Sequence, residues 1–155
     1  MAGFVFNAGG VCRVAQISLT GDSMEYEAFE VEEVFTEHED LIVLSLGFVS
    51  AHDPLDILHF SCARQCSGIE PPPVEDLLYV ERTDQSLGCD GREVIGLIGH
   101  GDSIELLLTE EGARQLGLGL RTRFGFNVHP ALHAVAIGQI EAMAKAGQSN
   151  VKLAR

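Results

Sequence analysis

The sequence predicts an α+β fold built on a largely antiparallel β-sheet, with a short helix and a C-terminal helix packed on it. Three observations predict it. Before Thr109 the apolar residues fall in runs of strand length. Those runs are joined by turns such as "TGDS" and "GHGDS" rather than by helix-length segments. Helical spacing appears after Thr109 and again after Pro130, so strands precede helices instead of alternating with them. The chain has 155 residues, 46% of them hydrophobic, enough for one domain with a sizeable core. We expect that domain over 1–147 and a flexible tail over 148–155.

The elements follow in order. "VCRVAQISL" (11–19) and "MEYEAFEVEEVF" (24–35) read as strands, with a helix as the alternative for the second. The alternation slips at Ala28 and Phe29, which predicts a bulge there. "LIVLSLGFV" (41–49) has the continuous apolar character of a buried strand, and "ILHFSCA" (57–63) is the next one. Pro71, Pro72 and Pro73 keep "SGIEPPPVED" out of a ladder. "LLYVER" (77–82) is a strand leading into the loop "TDQSLGCDG" (83–91). There Asp84 and Ser86 are expected to bond the loop backbone, and Gly88 and Gly91 to supply unusual φ angles. "EVIGLI" and "IELLL" flank Asp102 and Ser103 as a hairpin. Thr109 is an N-cap and Gly117 a C-cap, with Ala113 and Leu116 turned inward between them. In "GLRTRFGFNV" (119–128), Leu120, Thr122, Phe124, Phe126 and Val128 share one face. Pro130 opens the last helix at N1. Leu132, Val135, Ala136, Ile140 and Met143 are its packing residues, and Gly147 ends it.

Charge narrows the function. The net charge is −13, which argues against nucleic acid or anionic membrane as a ligand, since both need a basic footprint. The N-terminus has no basic stretch before an apolar one, and no apolar run is long enough to span a bilayer. We expect a cytoplasmic protein. Between Arg13 and Arg64 there is no Lys or Arg, yet there are eleven acids: Asp22, Glu25, Glu27, Glu30, Glu32, Glu33, Glu37, Glu39, Asp40, Asp53 and Asp56. Some are expected to pair with Arg114, Arg121 or Arg123. The rest would face a basic partner, with Glu25, Glu27, Glu30, Glu32, Glu37 and the loop residue Asp84 as the partner-binding candidates.

Chemistry-bearing residues are sparse. His59, Cys62 and Cys66 in "HFSCARQC" have metal-ligand types, but a structural zinc site needs a fourth ligand. Cys12, Cys89 or His100 would have to supply it through a tertiary contact. On a strand, residues 59 and 62 face opposite sides. A cysteine nucleophile with His100 or His129 as base lacks an elbow or oxyanion motif. His129 and His133 lie one helical turn apart without the glutamate of zinc helices. "GLIGHGDS" lacks the Lys-Ser/Thr of a phosphate loop. We therefore expect reduced, structural cysteines, no catalytic or metal-ligating residue and no cofactor. The competing readings are a small metal- or cysteine-dependent hydrolase using His59, Cys62, Cys66 or His100, and an acidic adaptor in secretion.

One stretch carries a resemblance. "DQS" (84–86), "GREVIGL" with Gly91 and Ile95, "SIELLLTEEGARQLGL" (103–118) and the strand "RTRFGFNV" after it resemble the Immunity protein 10 family of bacterial polymorphic toxin systems. "CDG" (89–91) stands where that family has an aromatic-Gly-Gly turn. The resemblance implies a non-enzymatic protein that binds a cognate toxin and neutralises it by occlusion.

Overall fold

The longest strand, β3 (Glu25–Phe35), combines aromatic and β-branched residues with glutamates and organises the sheet. The structure is a computed structural model that describes residues 4–6, 12–17, 25–51, 54–83 and 87–154, with side chains described from residue 27 onward. In chain order the other strands are β1 (Phe4–Phe6), β2 (Cys12–Ile17), β4 (Leu41–Phe48), β5 (Asp56–Ala63), β6 (Tyr79–Arg82), β7 (Gly88–Asp90), β8 (Val94–Gly99), β9 (Ser103–Leu108), β10 (Arg121–Gly125) and β11 (Val151–Leu153). The helices are α1 (Glu110–Leu116) and α2 (Pro130–Lys145). This is the α+β class that the sequence predicts.

The eleven strands form one sheet in the order β11-β8-β9-β10-β3-β4-β5-β6-β7, with β2 also on β3 and β1 on β2. Pairing is antiparallel except for β10 on β3 and β11 on β8. β3 joins two halves. Its first half pairs with β2 and β10, and its second half pairs with β4. The register shifts between Val31 and Glu33, so the bulge lies where the strand passes from one half to the other. Ala28 and Phe29, the expected position, pair regularly with Arg123 and Phe124.

Inward residues of both halves meet in one core. Phe29, Phe48 and Phe124 sit at its centre, with ring centroids 4.7, 6.1 and 5.3 Å apart. α2 lies against β3, β4, β8 and β11 and buries Ala136, Ile140 and Met143. Leu132 is partly buried, but Val135 is 46% exposed, so the packing stripe is narrower than its spacing predicts. At Gly99 a Cβ would fall 2.6 Å from Ile137 Cδ1, so glycine there lets α2 close onto β8. Gln139 donates to the Val43 carbonyl at 2.8 Å, two residues past the point where β3 stops pairing with β4.

The hairpin at Asp102 and Ser103 and both caps of α1 are as predicted. Gly112 N–H donates to the Thr109 hydroxyl at 3.0 Å, and Gly117 adopts φ +66°. Thr122, Phe124 and Phe126 are buried as predicted, whereas Val128 is exposed.

Two regions differ from the sequence reading. The loop after Arg82 includes a strand, β7, paired with β6, and neither Gly88 nor Gly91 has the positive φ expected there; Asp84 and Ser86 lie outside the described residues. The segment expected as a flexible tail is instead tied down through residue 154. Gln148 is buried, accepting from Leu78 N–H and donating to the Asp76 carbonyl. Asn150 donates to the carbonyls of Gly91 and Val94, and Val151 is 3% exposed. Its backbone finds a ladder on β8, which residue type and length alone do not announce.

A buried ion pair joins the second half of the sheet to α1. Asp56 and Arg82, 3% and 7% exposed, meet at 2.8 Å. Arg82 Nη1 also donates to the carbonyls of Leu116 and Gly117 at 2.8 and 2.9 Å, at the C-terminus of α1. Thr83 Oγ1 donates to Asp56 as well. Asp56→Ala leaves the guanidinium buried without its counterion and is expected to cost about 3–5 kcal/mol in urea unfolding. Replacing both partners by Leu and Met should cost clearly less, because no buried charge is then left over.

Candidate functional site: an open sheet face with an acidic tip

The alternation along β3 to β7 gives this half of the sheet two unlike faces. In β5, Asp56, Leu58, Phe60 and Cys62 are buried, and the residues between them are half-exposed. The register aligns Phe35, Ser45, His59, Glu81 and Gly88 in one row on the outer face, with Val43, Ser61, Tyr79 and Asp90 in the next. Small residues floor this face: Ser45 and Gly47 on β4, Ser61 and Ala63 on β5, Gly88 on β7. Two exposed aromatics rim it, Phe35 at 47% and Tyr79 at 43%. Tyr79 lies over Gly88, where a Cβ would fall 2.7 Å from its hydroxyl. Burial raises the Tyr79 phenol, and the Glu81 carboxylate beside it raises it further. Three strand spacings separate the rims, about 14 Å. That span admits one extended segment or one helix.

Beyond Phe35 the chain turns through Thr36, Glu37, His38, Glu39 and Asp40 into β4. Glu33, Glu37, Glu39 and Asp40 are exposed, so the Phe35 rim continues into an acidic tip. Arg64 braces the tip from the end of β5, donating to the His38 and Glu39 carbonyls.

The acids singled out in the sequence divide by role. Glu27 accepts from Gly119 N–H at 2.9 Å, tying β3 to the segment before β10. Glu30 accepts from Asn127 and from Val128 N–H. Glu32 lies 3.3 Å from His129 at the start of α2. Glu27 and Glu30 position backbone and Glu32 meets an imidazole, whereas Glu37 lies exposed in the tip region with Glu33, Glu39 and Asp40. Glu25 lies on β3 with its side chain outside the described set, and Asp84 lies outside the described residues. Among the described contacts, Arg114 pairs with Glu111, Arg121 with Glu105 and Arg123 with Asp102.

The face contains one serine–histidine contact. Ser45 Oγ and His59 Nδ1 are 2.6 Å apart, with Glu81 next in the row. A nucleophile must reach its substrate, and Ser45 is 2% exposed. The contact braces two strands. His59 and Cys62 face opposite sides of β5, as the spacing predicts. Among the described residues no group of three or more His, Cys, Asp or Glu is gathered as a metal site would require. Burial pushes the Cys62 thiol up to about 11, and burial with the acids Asp90 and Glu93 pushes Cys89 up to about 12. Cys66 is raised by burial and by Asp76, against a lowering contact from Gln148. All three are free thiols, held protonated at neutral pH.

A second polar cluster lies on the outer face of the other half. Glu105, 5% exposed, takes His100 Nε2 at 3.1 Å and the Arg121 guanidinium. His133 Nε2 donates to the His100 carbonyl at 2.7 Å. A cleft of about 470 Å³ between Ile69, Pro72, Arg92 and Asn150 is also open, but its buried amides are spent on backbone groups. Among the described residues no helix is long and apolar enough to cross a membrane.

Sequence reasoning missed the open face and the Asp56–Arg82 pair. The signal was parity. Arg82 shares its side of the strand with Leu78 and Val80, and Asp56 shares its side with Leu58 and Phe60, so both charges point inward. Comparison with protein-family models, curated proteins and solved structures finds no match to this chain.

Two outcomes follow from the titrating groups. Burial would raise the Glu105 carboxyl, but hydrogen bonds from Arg121 and His100 win and hold it below its usual value of 4.5. A depressed carboxylate stabilises the fold above its unfolded pKa and loses that contribution as pH falls through the folded one. Acid unfolding of Glu105→Gln should therefore show a shallower loss of stability below about pH 4.5 than the parent chain. In native protein at neutral pH, Cys62 and Cys89 should react with an aromatic disulfide reagent at least about a hundredfold more slowly than after unfolding.

Proposed function

We propose that this protein is a binding protein that neutralises a basic protein partner, in the manner of a toxin-immunity protein acting in the cytoplasm. One observation carries the reading: the exposed Phe35 stands between a floor of small residues and a tip of exposed acids, in a chain of net charge −13. An aromatic anchor inside a charged rim is how protein interfaces divide their work. The anchor supplies affinity and the rim supplies approach rate and partner choice. The flat floor suits occlusion, since it accepts a protruding segment without rearrangement. The resemblance of 84–118 to the Immunity protein 10 family supports the same reading.

The test is co-expression with the product of the adjacent gene, read as rescue of growth, followed by binding kinetics. Phe35→Ala is expected to weaken the complex by about 2 kcal/mol, mainly through faster dissociation. Reversing Glu33, Glu37, Glu39 and Asp40 should slow association and flatten its salt dependence while leaving the fold intact, because exposed pairs contribute only about 0–1 kcal/mol each. Rescue and association that ignore both changes would refute this surface.

A further inference from the structure

The turn that carries the exposed acids is built around an imidazole. His38 Nδ1 accepts two backbone hydrogen bonds, from Asp40 N–H and Leu41 N–H, each at 3.0 Å. A ring nitrogen accepts only while it carries no proton, so this turn requires neutral His38 with its proton on Nε2. We propose that His38 is a pH-sensitive latch on the acidic tip, closed when neutral and opened by protonation. As a regulation of the surface described above, its biological meaning rests on the docking reading.

Protonation has two effects with the same sign. Nδ1–H becomes a donor aimed at two donors, so both hydrogen bonds are lost and the turn into β4 is released. A positive charge also appears among Glu37, Glu39 and Asp40. Each effect weakens the hold on a basic partner. The charged groups around the turn are these three acids, the Arg64 guanidinium on the His38 and Glu39 carbonyls at 2.8 and 3.4 Å, and Lys145 of α2. Lys145 lines the cleft with Thr36, Leu41 and Arg64 and is paired with Glu141 at 3.8 Å. Because Arg64 grips backbone carbonyls and not the ring, release stays local to the tip.

The first measurement needs no partner. The backbone amide signals of Asp40 and Leu41 are followed by NMR from about pH 8 to about pH 5.5, across the histidine range, in the parent chain and in His38→Asn. Asn is chosen because its carbonyl oxygen accepts from the same amides and does not titrate. The expected result is that both amides move together with the His38 ring in the parent and stay still in the variant. A proton found on Nδ1 at high pH, or amides that ignore the ring's titration, would overturn the latch. The second measurement is binding of poly-L-arginine at low salt. Parent affinity should fall roughly five- to tenfold over that pH range and His38→Asn affinity should hold. Equal loss in both chains counts against the latch. Absence of binding at every pH counts against the docking reading and leaves the latch to be judged by the amides.

Discussion

The Asp56–Arg82 pair is the constraint on which the two halves of this fold depend. α1 has seven residues, too few to persist without tertiary support. Its C-terminal carbonyls end on a guanidinium that belongs to β6, and that guanidinium is held by a carboxylate of β5. The charge is spent entirely on directional bonds: two to the helix end and the rest to Asp56. A cation at a helix C-terminus is favourable in its own right, and burial sharpens the geometry it demands. Hydrophobic contact is non-directional, whereas Arg82 fixes the C-terminus of α1 and Glu93 holds its N-cap Thr109.

That rigidity leaves the outer face of β3–β7 free to be a surface. Inward parity positions satisfy the core, and outward positions mix Ser, Gly, Ala and His59 with Leu41, Val43 and Ile57. Such a face is costly to leave flat unless its edges are defended, and here aromatic and acidic residues stand at the margins. The acids of the chain thus separate by position. Glu27 and Glu30 accept from backbone N–H groups, Glu32 meets the His129 ring, and the acids beyond Phe35 stand in solvent.

Much of the architecture was legible in the sequence because it is locally encoded. Thr109, Gly117 and Pro130 mark helix ends by their own stereochemistry, and the glycines around Asp102 mark a hairpin. Tertiary partners decide the rest. β7 and β11 are three residues each and exist through their neighbours' hydrogen bonds. The bulge moved to Val31 because the junction of two half-sheets, not the side-chain pattern at Ala28, demands the shift. The candidate face was legible only in part. Charge pointed to 22–56, but the sorting of Glu27, Glu30 and Glu32 into structural roles depends on Gly119, Val128 and His129, remote in the chain.

The parallel pairing of β3 with β10 has a consequence for biogenesis. During synthesis β3 emerges long before β10, and one of its edges waits unpaired while most of the domain is still being made. A waiting edge is where nascent chains on neighbouring ribosomes would stick to one another. Glu25, Glu27, Glu30, Glu32 and Glu33 repel that encounter, since a like strand brings the same charges into register against them. The glutamates that later become acceptors for Gly119 and Val128 first act as gatekeepers, keeping the strand solitary until its own chain supplies the partner.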